Sequence, residues 1–481
     1  MSEVEAKNVK KEISFGSVLF VLLFLFASMG ISVLWLGVPV HVTLIINIII
    51  ATIVAMRAGY KWKDIQDAIQ YGADLAMIPM LILMIIGVVI GTWVASGTIQ
   101  TIIYYGLLIL RPSYFLLAAA IIVGLTSIST GSSYTSGGTV GVAMMGIGMG
   151  LGVPPAMTAG AVISGAIIGD KMSPLSDSTN LAAAVGESDL FDHIRSMMYT
   201  TIPAFIIALV LYGIIGIFVI EGSADTSQVD LILETLKANY AINPILLIPP
   251  VVVIVMAMKK VASLPTMIIS ALIAAILAMI FQGATVSSIT NVMNYGYTGA
   301  TGVAVVDKLV SRGGLQGMMW TVSLGFIGVA YGGILEKTKM LEVFLGRLAA
   351  LLRNVGGLIT TTVVSCILLN LATASQYMAI IITGRMMVPE YRKKNLRPNV
   401  LSRTLEDSGT VFSPMVPWGL CGVFFTGALG VPTTQYFPFV FLALLVPIVA
   451  VIYGFTGKAI WYGDEEMSMN PGKKRKQATV K

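Results

Sequence analysis

The chain has 481 residues, 56% of them hydrophobic and only 11% charged, with a mean hydropathy of +0.87, whereas a soluble domain carries about 25% charged residues. That excludes an ordinary soluble protein and leaves a polytopic membrane protein; many apolar runs near the ~20 residues of a helical crossing favour α-helical spans over a barrel. The net charge of +6 gathers in a few loops, the pattern of cytoplasmic loops beside a lipid bilayer, and no nucleic-acid partner is expected.

From the N-terminus, residues 1–12 are polar and lysine-containing and are expected in the cytoplasm. Ile13 to Leu36 is too long for a signal h-region and lacks a small-x-small cleavage site, so it is expected as a retained first span. Apolar blocks then fall near 38–57, 73–97, 98–110, 112–151, 154–190 and 198–220, and, after an acidic stretch, near 243–258, 262–282, 317–336, 338–353, 355–384, 399–430 and 435–457. The short block 98–110 and the amphipathic block 338–353 suit re-entrant or interfacial elements. Cys366 and Cys421 lie in apolar sequence, and His41 and His193 stand far apart, so neither a disulfide framework nor a zinc spacing exists. His41, Asn47, Asp74 and Glu336 read as packing, interfacial or solvated span-end residues, and Trp35, Trp62, Trp93 and Trp461 as belt residues.

Basic residues cluster at Lys7–Lys11, Arg57–Lys63, Lys259–Lys260, Arg385–Arg403 and Lys473–Lys476, while 221–242 carries Glu221, Asp225, Asp230 and Glu234. If each block crosses once, the basic clusters share one side and the acidic loop takes the other, which puts both termini in the cytoplasm of a cell-membrane protein. The chain also repeats itself in order. Gly37-Val38-Pro39, Asp64-Ile65 and Tyr71-Gly72 resemble Ser263-Leu264-Pro265, Ser288-Ile289 and Tyr295-Gly296, and Ser129–Tyr134 resembles Ala372–Tyr377. Each half holds an odd number of blocks, so the copies are expected to be inverted. The expectation is an all-α polytopic membrane protein made of two inverted repeats with discontinuous transmembrane helices: 13–220 and 243–457, separated by an acidic extracytoplasmic loop at 221–242, with a basic cytoplasmic tail at 458–481.

The stretch from Gly169 to Asn180 places Asp170, Lys171 and Asp177 among Ser173, Ser176, Ser178 and Thr179, inside apolar sequence. Pro174 disfavours helix at Ser173, so a span should break there. Charges at bilayer depth mark an ion or substrate path by default. A low dielectric penalises a bare carboxylate, so Na⁺ and H⁺ would compete for Asp170 and Asp177; Lys171 could pair with one of them or release a proton when Na⁺ enters. A purely structural ion pair at a helix break is the bland alternative. Thr126 to Thr139 holds ten hydroxyl-bearing residues and three glycines, which suits a second broken helix, with Thr130, Ser132 and Ser133 as oxygen ligands, or close packing through small residues. The second-half equivalents are Thr373, Ser375, Gln376 and Tyr377, with Glu406, Asp407 and Ser408. Asp407 is expected at the cavity unless it serves a salt bridge at the cytoplasmic rim.

Gly169-Asp170-Lys171-Met172-Ser173-Pro174-Leu175-Ser176-Asp177-Ser178-Thr179 resembles the signature of the NhaC family of Na⁺/H⁺ antiporters. Gly131-Ser132-Ser133, Gly138–Gly141, Glu406–Gly409, Ser413-Pro414 and Pro417-Trp418 are also similar to it, and the resemblance covers about residues 14–457. It implies an ion-transporter fold of inverted repeats with broken helices, and cation binding at Asp170, Asp177 and the neighbouring hydroxyls. The family includes exchangers of malate and protons for lactate and sodium, so a small carboxylate is the alternative cargo. No cofactor is expected beyond the transported Na⁺ and H⁺, and a homo-oligomer is compatible with the reading. Without a Gly-x-x-x-x-Gly-Lys-Ser/Thr motif no ATP-driven pump is supported. An intramembrane aspartyl protease lacks its Gly-x-Gly-Asp, because Ile167 takes the first glycine's place. A channel fits an inverted, charged midplane less well than alternating access does.

Overall fold

The computed structural model describes residues 12–36, 38, 40–220, 226–348, 354–463 and 467–469. The terminal lysines at 7–11 and 473–476, on which the topology expectation partly rests, lie outside the described residues.

The chain opens with α1 (Phe15–Gly30) and α2 (Val40–Arg57), followed by α3 (Trp62–Ala95) and the short α4 (Thr98–Ile109). Helix α3 has 34 residues and so runs about 51 Å at 1.5 Å per residue, well beyond a ~30 Å hydrocarbon core. It begins eleven positions before the apolar block expected from Ala73, because hydropathy alone does not see the polar first turns. Next come α5 (Pro112–Thr130), α6 (Ser133–Ser136), which passes through a π turn into α7 (Val142–Gly150), then α8 (Pro155–Met172) and α9 (Asp177–Val185). Helix α10 (Leu190–Ile215) closes the first half.

The stretch expected as an acidic loop is in part a helix, α11 (Thr226–Asn239); its apolar positions Val229, Ile232, Leu233 and Leu236 follow helical spacing, and Ile232 and Leu236 are fully buried. The second half comprises α12 (Ile248–Met258), α13 (Ser263–Gln282), α14 (Val286–Tyr295), α15 (Ala304–Val310), α16 (Leu315–Lys337), α17 (Met340–Leu348), α18 (Val355–Thr373), α19 (Gln376–Lys393), α20 (Pro398–Ser408), α21 (Leu420–Leu429), α22 (Thr433–Tyr436) and α23 (Phe441–Thr456). Among the described residues, seven helices are long and apolar enough to cross a membrane, or up to ten if each bent pair counts as one span. One such pair, Pro398–Met415 with Leu420–Leu429, bends by 44°.

Two glycine-mediated crossings set the frame. A Cβ on Gly72 would run into the Val329 carbonyl and one on Gly333 into the Ala68 carbonyl, so α3 and α16 touch backbone to backbone. Gly314 even donates its N–H to the Gly87 carbonyl at 2.6 Å. In the same way Gly165 abuts Ala120 and Gly169 abuts Ser127, clamping α5 to α8. This second crossing sets the end of α8 against the break that follows α5.

At one end of the bundle, Arg392 pairs with Glu187 and Arg397 with Asp192, and Tyr60 donates to the Thr338 carbonyl at 3.1 Å. At the other, Gln282 donates to the Ser96 and Ala241 carbonyls, and Thr98 to the Leu246 carbonyl at 2.8 Å.

Candidate functional site

Three interruptions of helix build the site. After α5 the chain turns through Gly131, in the left-handed region at φ +68°, and restarts at Ser132, whose hydroxyl accepts the Thr135 N–H at 3.2 Å. After α18 it turns through Ala374, also left-handed at φ +58°, and restarts at Ser375, whose hydroxyl accepts the Met378 N–H at 3.5 Å. Thr130 and Thr373 make the same two contacts across their breaks, to the main chain of Ser132 and of Ser375 respectively. The same interval separates Thr130 from Thr373, Ser132 from Ser375, and the helix-opening prolines Pro155 and Pro398. The third break, Ser173–Ser176, follows α8: Pro174 stops the helix, Ser176 N–H donates to the Ser173 carbonyl at 3.1 Å, and Asn180 folds back to the Pro174 and Ser176 carbonyls.

Asp170, on the last turn of α8, spans the gap between the first and third breaks. Its Oδ1 accepts the Ser133 main-chain N–H at 2.9 Å and its Oδ2 the Ser133 hydroxyl. Its own carbonyl accepts the hydroxyls of Thr179 and of Ser178, the latter at 3.2 Å. Among the described residues no lysine, arginine or histidine nitrogen stands within ion-pair distance of the Asp170 carboxylate. A half-buried carboxylate fed by neutral donors and lacking a cation is a poor structural anchor and a good cation receptor.

A cavity of about 800 Å³ leads to this carboxylate. Its wall includes Thr130, Ser132, Tyr134, Asp170, Ser176, Asp177 and Ser178 from the first half, Gln376 and Tyr377 from the start of α19, Asp74 from α3, and Lys260 to Pro265 before and within α13. Asp177 is exposed and faces the cavity as the first residue of α9. Tyr134 OH meets Cys421 Sγ at 3.1 Å, and Cys421 reaches Gln376 Oε1 at 3.6 Å, which ties the two glycine-and-alanine breaks together through α21.

The structure separates other residues from the cavity. Lys171 points away from Asp170 and Asp177, and its ammonium pairs with Asp407 Oδ1, both side chains fully buried. Thr200 of α10 also donates to that oxygen at 2.9 Å. Asp407 therefore sits behind the cavity wall, not at the cytoplasmic rim and not on the lining. Glu406 is fully buried too and accepts the Ser178 hydroxyl at 3.0 Å. Thr373 and Ser375 are buried and spend their hydroxyls within their own break, while the adjoining Gln376 and Tyr377 reach the cavity. Ser173 is buried under Gly131.

Sequence reasoning missed Asp74 and Lys260 as lining residues. The signal for Asp74 was the run of helix-compatible residues from Trp62 to Ile78, free of proline and interrupted only by Gly72, which places it inside a helix rather than at an end.

The sequence model described as the Na⁺/H⁺ antiporter family matches residues 7–179 and 165–458. The chain is 37% identical to the Na⁺/H⁺ antiporter NhaC of Alkalihalophilus pseudofirmus, over 96% of this chain and 99% of that one. It is 39% identical to the malate-2H⁺/Na⁺-lactate antiporter of Bacillus subtilis, over 89% and 92%. It is 36% identical to the arginine/ornithine antiporter ArcD of Halobacterium salinarum, over 95% of each. All three relatives are named as antiporters, secondary transporters rather than enzymes. Matched along almost its whole length, the chain belongs to the Na⁺/H⁺ antiporter family.

Proposed function

We propose that this protein is a secondary active antiporter that exchanges Na⁺ for H⁺ by alternating access, with Asp170 as the shared carboxylate and Asp177 as the acid that draws cations toward it. The observation that carries the reading is Asp170 itself: a carboxylate at the cavity wall, oriented by two donors from Ser133 and without a cationic partner among the described residues. Sodium favours oxygen ligands, and the Thr130, Ser132, Ser176 and Ser178 hydroxyls beside Asp170 supply neutral ones. One carboxylate accommodates Na⁺ or H⁺ but not both, so a carrier that moves only when loaded exchanges one for the other. The matched breaks at Gly131 and Ala374 support the proposal that 13–220 and 243–457 are inverted repeats. The basic loops at Arg57–Lys63, Lys259–Lys260 and Arg385–Arg403 support a cytoplasmic assignment for the end of the bundle that carries them, and Lys260 among them lines the cavity.

A sodium-coupled carboxylate exchanger is the second reading, favoured by the cavity's size: about 800 Å³ far exceeds the ~30 Å³ share of one water. Against it, the lining carries Asp74, Asp170 and Asp177 with Lys260 as its one cation among the described residues. In everted vesicles holding a proton gradient, added Na⁺ should dissipate the gradient, Asp170→Asn should abolish that response, and malate or lactate should leave it unchanged. Full wild-type exchange by Asp170→Asn would reject the site, and a strict need for the carboxylate would select the second reading.

A further inference from the structure

We propose that a second monovalent-cation site lies behind the first, centred on the Glu406 carboxylate with the hydroxyls of Thr410 and Ser178 as neutral ligands. It rests on the sodium-binding role assigned to Asp170 and extends it.

Glu406 is fully buried; its Oε1 takes the Ser178 hydroxyl, but its Oε2, equally buried, meets no donor. Thr410 lies one turn further along beside the same carboxylate, 2% exposed, and its hydroxyl is a neutral group within reach of Glu406 that closes no well-formed hydrogen bond. The nearby cations are committed elsewhere. Lys171 pairs with Asp407, and Arg403 donates to the Ala459 carbonyl at 2.9 Å and lies over the Trp461 ring. His193 shares its Nδ1 with Ser402 at 2.8 Å. Among the described residues no cationic nitrogen stands within ion-pair distance of Glu406. A buried carboxylate oxygen with no well-formed hydrogen bond and no ion-pair partner is unfavourable, so the folded protein favours an occupant that brings one positive charge. One carboxylate and two hydroxyls form a hard, singly charged oxygen set, suited to sodium rather than to a divalent ion, which gathers more carboxylates.

Ser178 joins the two sites. Its Oγ is 3.0 Å from Glu406 Oε1 and 3.2 Å from the Asp170 carbonyl, yet a hydroxyl has one hydrogen to give. A cation at Glu406 takes a lone pair of Ser178 and releases that hydrogen to the Asp170 carbonyl, so filling the inner site reshapes the outer one. The shared hydroxyl therefore couples the occupancy of the two sites.

The test is equilibrium binding of radiolabelled sodium to the purified full-length protein in lipid nanodiscs. Wild type should bind two sodium ions per chain, with an isotherm that departs from a single-site hyperbola. Glu406→Gln should bind one, with a hyperbolic isotherm, while remaining monodisperse. Thr410→Val, a milder change, should weaken the second ion by about 10-fold while leaving the first. One ion per wild-type chain, unaltered by Glu406→Gln, overturns the second site and leaves the Asp170 reading standing. No specific sodium binding by wild type overturns both.

Discussion

Lys171 and Asp407 form an ion pair that joins the end of α8 to the end of α20 across 236 positions of sequence, with neither side chain exposed. The pair binds the two halves of the chain together directly behind the cavity wall. Removing one partner leaves a bare buried charge, which costs about 3–5 kcal/mol, whereas replacing both with apolar residues of similar volume is often neutral. Lys171→Met alone should lower the thermal midpoint of the detergent-solubilised protein sharply. Lys171→Met combined with Asp407→Leu should restore most of it. If the pair serves only to fasten the halves, exchange should return with stability; the expectation is that exchange stays low, because Lys171 directly follows Asp170 and its pairing fixes the last turn of α8 that carries that carboxylate. Vesicle exchange measured beside the melting curves separates the two outcomes.

The α5–α8 crossing yields a packing prediction. A Cβ at Gly169 has nowhere to go but into the Ser127 main chain, so Gly169→Ala must push α8 from α5 and draw Asp170 away from Ser133. Overpacking of this kind typically costs about 1–3 kcal/mol. Exchange should fall well beyond the loss in folded protein, since the displaced Asp170 is the proposed ion-binding carboxylate. Gly317→Ala is the control: nothing lies within 4 Å of its added carbon, and both yield and exchange should match wild type. Equal behaviour of the two variants would mean the crossing is looser than the structure has it.

Much of the site is written locally and could be read without coordinates. Pro174 after Ser173, Gly131 before Ser132, and the Ser375 cap each break a helix through the chemistry of a single residue or its neighbour, and apolar flanks place those breaks at depth. What was not legible depends on partners far along the chain. Nothing near Lys171 indicates that it faces Asp407 rather than Asp170, and nothing near Ser178 indicates Glu406. Asp74 was hidden for a different reason: the polar first turns of α3 carry Lys63, Asp64 and Asp67, so a hydropathy window starts the element late and turns an internal residue into a terminal one. Helix α11 was hidden in the same way, its acids masking an apolar stripe at Val229, Ile232, Leu233 and Leu236.

Asp74 and Lys260 stand on the cavity lining and are both exposed. Exposed charges on a cavity wall are expected to act on an incoming cation through their field rather than by ligation, and such effects fade with salt. Asp74→Asn should raise the Na⁺ concentration for half-maximal exchange by a few-fold at low ionic strength and change it little at high ionic strength. Lys260→Gln should shift it the other way. A shift in Asp74→Asn that persists at high salt would instead make Asp74 a direct ligand.

Ser133 is the residue that aims the Asp170 carboxylate, by a main-chain N–H that alanine would keep and a hydroxyl that it would not. A hydrogen bond to a charged group contributes about 1.5–3 kcal/mol. That bond holds the carboxylate whether or not sodium is bound, so only its aiming effect enters the binding equilibrium: Ser133→Ala should raise the Na⁺ concentration for half-maximal exchange by a few-fold, while the remaining N–H keeps the maximal rate measurable. Ser133→Thr keeps the hydroxyl and should restore the wild-type value if the β-methyl is accommodated. Asp170→Asn should eliminate exchange in either background, because Ser133 acts only through that carboxylate. Residual exchange in Asp170→Asn that still responds to Ser133→Ala would show Ser133 to be a ligand in its own right, and would move the centre of the site from α8 to the break after α5.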